Sequence, residues 1–92
     1  MTRVVKIDKT GGPEVLKFES VKLDKPGSEE VLIEHKAIGL NYIDIYHRSG
    51  LYPLQLPSGI GGEASGIIKE VGSKIKDFSV SDKVAYAGVP LG

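Results

Sequence analysis

Residues 41 to 52 carry the side chains in this chain that are best suited to chemistry on a small molecule. Asn41 and Tyr46 lie about one helical turn apart, so an amide and a phenol can face one pocket. Either group can donate a hydrogen bond to a carbonyl oxygen that gains negative charge during a reaction. Tyr52 follows on the chain, and its flat apolar ring with a polar tip suits stacking on a planar ligand.

The same segment also has a purely structural interpretation. Asn41 and Asp44 have the spacing of a capping box, in which Asn41 accepts backbone N–H groups and Asp44 favours the positive end of the helix dipole. Ordinary core packing accounts equally well for one or two of the tyrosines. The residues alone therefore leave both interpretations open.

Short β-branched segments separated by turns predict a mainly β fold around this region. Residues 2–8 and 15–22 flank the turn Gly11-Gly12-Pro13, and together they predict a hairpin. Apolar residues then recur three or four positions apart, and Gly50 follows where a helix needs a left-handed cap. This pattern predicts a short helix over residues 41–49.

Sequence patterns typical of strands predict three further strands. Residues 30–38 predict a half-buried strand, with Val31, Ile33 and Ala37 on one face. Residues 63–71 and 83–87 have the same strand character.

Composition excludes several classes of function. The 92 residues include 12 basic and 12 acidic side chains scattered along the chain, which argues against nucleic acid or an anionic membrane as a main partner. The chain has no cysteine, hence no disulfide and no thiolate metal site, and this suits a cytoplasmic location. No apolar run approaches the roughly 20 residues that span a bilayer.

Two motifs are set aside. His35 and His47 are the only histidines, and without cysteine or a nearby carboxylate pair neither fits a zinc site. The segment 59–64 matches a G-x-G-x-x-A dinucleotide fingerprint, but that motif requires a preceding strand and a helix that begins within it. The flanking residues predict neither, so we reject pyrophosphate binding here.

Five sequence blocks, which together cover nearly the whole chain, occur in the same order as in a known family. The blocks are residues 11–16, 37–44, 46–53, 57–68 and 71–72. On these blocks the chain resembles the quinone oxidoreductase, or zeta-crystallin, branch of the medium-chain dehydrogenase/reductase superfamily. In zinc-dependent members of that superfamily a cysteine stands where this sequence has Asn41, and a histidine stands where it has Gly62.

This resemblance implies a GroES-like, partly open β-barrel with a short helix, of which residues 1–92 form the N-terminal part. The partner wall of the cleft would be a Rossmann NADPH-binding domain, which is absent from this chain. The strand near Val84 is followed only by the turn residues 88–92, so we expect the chain to be truncated. The implied activity is hydride transfer from NADPH to a quinone, without zinc and with little turnover by these residues alone.

The resemblance also implies roles for individual residues. Catalysis falls to Asn41 and Tyr46, and the substrate would meet Tyr52 and Arg48. The nicotinamide end of NADPH would contact Asn41, Tyr42, Ile43, Asp44 and Tyr46, and no residue would bind a metal. Two alternatives remain open, namely a relative that reduces another carbonyl or enone, and a stand-alone GroES-like module for binding or homo-oligomer formation.

Overall fold

The computed structural model describes residues 2–88 and 91–92. The predicted turn at residues 88–92 therefore includes two positions, 89 and 90, that lie outside the described residues. The chain divides into two compact units, one of Met1–Leu23, Gly39–Gly62 and Gly88–Gly92, and one of Asp24–Ile38 and Glu63–Ala87. Its elements are β1 (Thr2–Ile7), a 3-10 helix (Pro13–Val15), β2 (Lys17–Val21), β3 (Val31–Ile38), α1 (Tyr42–Ser49), β4 (Ser58–Gly59), β5 (Glu63–Val71) and β6 (Lys83–Ala87).

The first unit contains an antiparallel sheet in the order β2-β1-β4. The predicted hairpin is confirmed, with Val5 opposite Phe18. Its second strand begins later than expected, because Pro13 suits the first position of a helix and starts a 3-10 turn. That turn buries Val15, which is 4% exposed, and Ile7 of β1 is also fully buried in this unit.

The second unit contains an antiparallel sheet in the order β3-β5-β6. Its core consists of Ala64 and Ile68, which are 7% and 1% exposed. Gly66 lies opposite His35 in the register of β3 and β5. A side chain at Gly66 would overlap the backbone carbonyl of Glu34, so the two strands need a glycine to pack at this point.

The predicted alternation along β3 is wrong at its C-terminal end. Val31 and Ile33 are half-buried as expected, but Ala37 is exposed. The pairing with β5 shifts between Leu32 and Ile33 and again between His35 and Ala37. Each shift leaves one residue unpaired. Residues 34–38 are all exposed, so neither face of this half of β3 is buried within the described residues.

Residues 59–64, where we reject a dinucleotide fingerprint, do not form the turn between a strand and a helix that this motif needs. The segment runs from the two-residue strand β4 into β5, and no helix begins within it. The motif therefore lacks the helix N-terminus on which pyrophosphate would lie. Among the residues that the structure describes, α1 is too short to cross a bilayer, and no other helix is long and apolar enough.

Candidate active site on α1 and the following turn

The start of α1 is fixed by the predicted capping box. Asn41 has extended backbone angles and is the N-cap residue. Asp44 Oδ2 accepts a hydrogen bond from the Asn41 backbone N–H at 2.9 Å, and the Asp44 N–H donates to the Asn41 carbonyl at 3.0 Å. Because Asp44 is only 3% exposed, it positions Asn41 from inside the unit.

The end of α1 is fixed by a glycine and by the hairpin turn. Gly50 has φ of 89° in the left-handed region, and its N–H donates to the carbonyl of His47 at 3.3 Å. A Cβ at Gly50 would lie 3.2 Å from Thr10 Cγ2, so the turn after β1 packs closely here. The Gly11 N–H donates to the Arg48 carbonyl at 2.9 Å, which joins that turn to the last turn of the helix.

Two of the predicted site residues, Tyr46 within α1 and Tyr52 after its end, come together. The rings of Tyr46 and Tyr52 meet edge to face, with centroids 5.5 Å apart and planes at 82°. The Tyr52 backbone N–H also donates to the carbonyl of Tyr46 at 3.3 Å. Tyr46 is 37% exposed and Tyr52 is 50% exposed, so both rings remain accessible to a ligand.

The first turn of α1 presents three further predicted residues at the surface. Asn41 is exposed. Tyr42 is 78% and Ile43 is 45% exposed. Since Tyr42 and Tyr46 are four residues apart in a helix, they lie on the same side of it. The two phenols therefore lie on one accessible side of the helix, and the exposed Asn41 precedes them at the N-cap.

Arg48 and its neighbour His47 are half-buried in the last turn of α1. Arg48 Nε and His47 Nδ1 are buried and make no hydrogen bond within residues 2–88 and 91–92. The His47 ring lies beside Tyr52, with centroids 6.5 Å apart and planes at 65°. The approach of His47 to Tyr52 is not predictable from the sequence, because it depends on the path of the chain after Gly50.

The charged groups with displaced pKa values belong to the strands and their turns. A hydrogen bond from Lys17 at 2.8 Å, together with its charge, lowers the pKa of Asp8 and correspondingly raises that of Lys17. Glu34 accepts a hydrogen bond from Lys36 and forms an ion pair with Lys69 at 3.4 Å, and both lysines lower its pKa. These pairs are exposed, so salt screens them.

A sequence model of the alcohol dehydrogenase GroES-like domain matches residues 27–90. The chain belongs to this domain family. The predicted mainly β, GroES-like fold and the resemblance to the quinone oxidoreductase branch are both confirmed by the relatives below.

Similar proteins point to oxidoreductases. A quinone oxidoreductase of Pseudomonas aeruginosa is 48% identical over 93 residues, which is 100% of this chain and 29% of the relative. A 2-haloacrylate reductase of a Burkholderia species is 38% identical over 96 residues, again 100% of this chain and 29% of the relative. The structure of Escherichia coli quinone oxidoreductase complexed with NADPH superimposes with a TM-score of 0.94 at 46% identity, covering 98% of this chain and 28% of that one. This chain thus spans less than a third of the length of these relatives.

Proposed function

We propose that the chain is the N-terminal part of the substrate domain of a zinc-independent NADPH:quinone oxidoreductase. The observation that carries the proposal is that α1 exposes Asn41 at its capped start and the Tyr46–Tyr52 ring pair at its end. The names of the relatives support the reaction. A Rossmann domain, in the same chain or in a second one, would complete the site, and we expect the protein in the cytoplasm.

The proposed chemistry of this chain is hydrogen bonding to the oxygens of a quinone. As a quinone is reduced, its carbonyl oxygen gains negative charge. The Asn41 amide and the Tyr46 hydroxyl are both donors, and each would stabilise that charge. The exposed Tyr52 ring would stack on the planar substrate, and Arg48 would supply a positive charge at the far end of the helix.

The first turn of α1 fits the nicotinamide end of NADPH. The exposed Tyr42 ring and Ile43 side chain offer an apolar surface to a flat ring, and Asn41 offers a polar group beside it. NADPH, when bound, supplies the hydride that reduces the quinone. We assign an indirect part to Asp44, since its carboxylate is buried and already accepts the Asn41 N–H.

The proposal that the enzyme works without zinc rests on the side chains that stand at the ligand positions of zinc-dependent relatives. Structural and catalytic zinc sites use thiolate, imidazole and carboxylate ligands. Asn41 offers an amide at one position where a zinc-dependent relative has a ligand, and Gly62 offers no side chain at the other. Within residues 2–88 and 91–92, no three histidine, aspartate or glutamate side chains come together as a metal-binding group.

Large apolar side chains that are exposed near α1 support the proposal that another domain covers this surface. Leu40 is 84%, Tyr42 is 78% and Leu51 is 63% exposed. Isolated exposed apolar residues are normal, but these flank the proposed site on both sides. We propose that the dinucleotide-binding domain covers them, and that the 92-residue chain alone therefore gives little turnover.

A chimera provides the test. The 92-residue chain would replace the matching segment of Escherichia coli quinone oxidoreductase, and the loss of NADPH absorbance with a simple quinone would be followed. We expect turnover by the chimera and little by the chain alone. The matched control is a chimera with both Asn41→Ala and Tyr46→Phe, which should fold but lose activity. A folded chimera without turnover would contradict the proposal.

A second candidate is a stand-alone module for binding or homo-oligomer formation. It is favoured by the open sheets, in which β2 and β6 each have one neighbouring strand among the described residues. This function predicts that the chain alone sediments as one defined oligomer. That result, combined with an inactive chimera, would replace the enzyme proposal. Activity of the chimera on a haloacrylate and not on quinones would instead assign a different substrate.

A further inference from the structure

Tyr52 lies against two neighbouring side chains of α1. Its ring meets Tyr46 at 5.5 Å and 82°, and it meets His47 at 6.5 Å and 65°. Both contacts have the tilted geometry and spacing that aromatic rings prefer. The Tyr52 ring is therefore in contact with two side chains that are consecutive in α1.

The backbone alone does not fix the direction of this ring. Tyr52 follows the left-handed Gly50, and one hydrogen bond at 3.3 Å ties its N–H to the Tyr46 carbonyl. The residue is 50% exposed, so half of its surface has no packing. A contact of the edge-to-face kind changes the balance between two side-chain orientations by about two- to tenfold.

We infer that His47 is a positioning residue that holds the Tyr52 ring in the orientation in which it meets substrate. The His47 ring is half-buried, and its Nδ1 has no hydrogen-bond partner among the described residues. The contact of His47 with the site that the structure shows is therefore the packing of its ring against Tyr52. This role rests on the proposed function, in which Tyr52 stacks on the quinone.

The two aromatic contacts have separable effects. Tyr46 is proposed to touch the substrate, so changing it would remove a donor as well as a ring contact. His47 also packs against Tyr52, and it carries no proposed chemical step. Substitution of His47 should therefore weaken the stacking of substrate while leaving the donors in place. Such a change raises KM with little effect on kcat.

The first experiment uses the 92-residue chain with carbon-13 labelled tyrosines. The ring signals of Tyr52 would be compared in the native chain, in His47→Leu, which keeps bulk without a ring, and in His47→Phe, which keeps the ring. We expect the Tyr52 signals to move and average in His47→Leu and to stay near their native positions in His47→Phe. The signals of Tyr86, which belongs to the other compact unit, serve as the internal control.

Native Tyr52 signals in a folded His47→Leu chain would overturn the inference. The second experiment measures the same variants in the chimera with Escherichia coli quinone oxidoreductase. We expect KM for the quinone to rise about two- to tenfold in His47→Leu, with kcat nearly unchanged and with rescue by His47→Phe. An equal fall in kcat and kcat/KM would overturn the inference. If the native chimera has no turnover, the proposed function fails, and the tyrosine signals still decide whether His47 positions Tyr52.

Discussion

The carboxylate of Asp44 lies 2.9 Å from the backbone nitrogen of Asn41, and it is buried. The hydrogen bond fixes the backbone of Asn41 at the start of α1, and the side-chain amide of Asn41 is a proposed catalytic donor. We therefore propose that Asp44, which the sequence places among the cofactor contacts, acts through Asn41.

Replacing Asp44 should lower stability. Asp44→Ala removes the acceptor of the Asn41 N–H and a favourable charge at the helix start, so we expect a loss of about 1 to 2 kcal/mol in the free energy of unfolding. Urea unfolding followed by circular dichroism measures this loss. Asp24→Ala, at an exposed position between strands, is the matched control and should change little. Equal losses in the two variants would show that the cap does not stabilise α1.

Gly50 tests the left-handed end of the helix. Gly50→Ala should lose about 1 to 2 kcal/mol, because an L-residue with φ of 89° is strained. Gly50→Asn should lose less, since asparagine adopts this conformation more readily. Both variants place a Cβ near Thr10, so their difference isolates backbone strain from crowding. Identical unfolding midpoints for the two variants would argue against a strained cap.

Gly66 tests the close approach of β3 and β5. A methyl group there would overlap the Glu34 carbonyl and lie 2.8 Å from Ile33 Cγ2, so Gly66→Ala should cost about 3 kcal/mol. Gly61→Ala is the comparison, because a Cβ there meets no atom of the described residues within 4 Å. Its positive φ should cost only about 1 kcal/mol. Thermal unfolding of both variants distinguishes crowding from backbone strain, and a larger loss for Gly61→Ala would refute the packing argument.

The Glu34 ion pairs predict a small dependence of stability on pH. Lys36 and Lys69 hold the folded pKa of Glu34 below its ordinary value of 4.5. The pairs therefore stabilise the fold above that pH, and their contribution disappears as pH falls through the folded pKa. Glu34→Gln should lower stability at neutral pH and match the native chain in acid, with a smaller difference in high salt. Glu29→Gln is the control, and a difference that persists in acid would contradict this origin.

The proposed donors predict a kinetic effect in the chimera. Asn41→Ala or Tyr46→Phe should each lower kcat by about 100-fold, since each removes one hydrogen bond to developing charge. The control is Tyr86→Phe, in the compact unit that does not contain α1. It removes a hydroxyl that lies 3.2 Å from His35 Nε2, and it should leave kcat near native. Steady-state kinetics with varied quinone would measure all three. Native kcat in both donor variants would remove Asn41 and Tyr46 from the reaction.

Local patterns predicted the helix and its ends correctly. The spacing of Ile43 and Tyr46, the N-cap type of Asn41 and the position of Gly50 are all properties of one short segment, and helices depend on such near neighbours. The turn Pro13–Val15 was missed because a proline after two glycines fits a hairpin turn and a 3-10 turn equally well.

Features that depend on a distant partner could not be predicted in the same way. The register shifts between β3 and β5 are set by pairing between segments about 30 residues apart. Ala37 is exposed together with all of residues 34–38, because burial of a strand depends on what packs against its faces. The approach of His47 to Tyr52 depends on the chain path after the helix. The placement of Asn41 and Tyr46 along one helix was predictable, whereas the burial of Asp44 needed the structure.

The hydrogen bond from Gly11 to Arg48 has a consequence for how this region tolerates change during evolution or engineering. Both partners are main-chain groups, so exchanging the Arg48 side chain leaves the bond in place. A proline at position 11 would remove the donor altogether. This link between the first hairpin and α1 therefore does not depend on the Arg48 side chain, and position 48 can vary in chemistry without losing it.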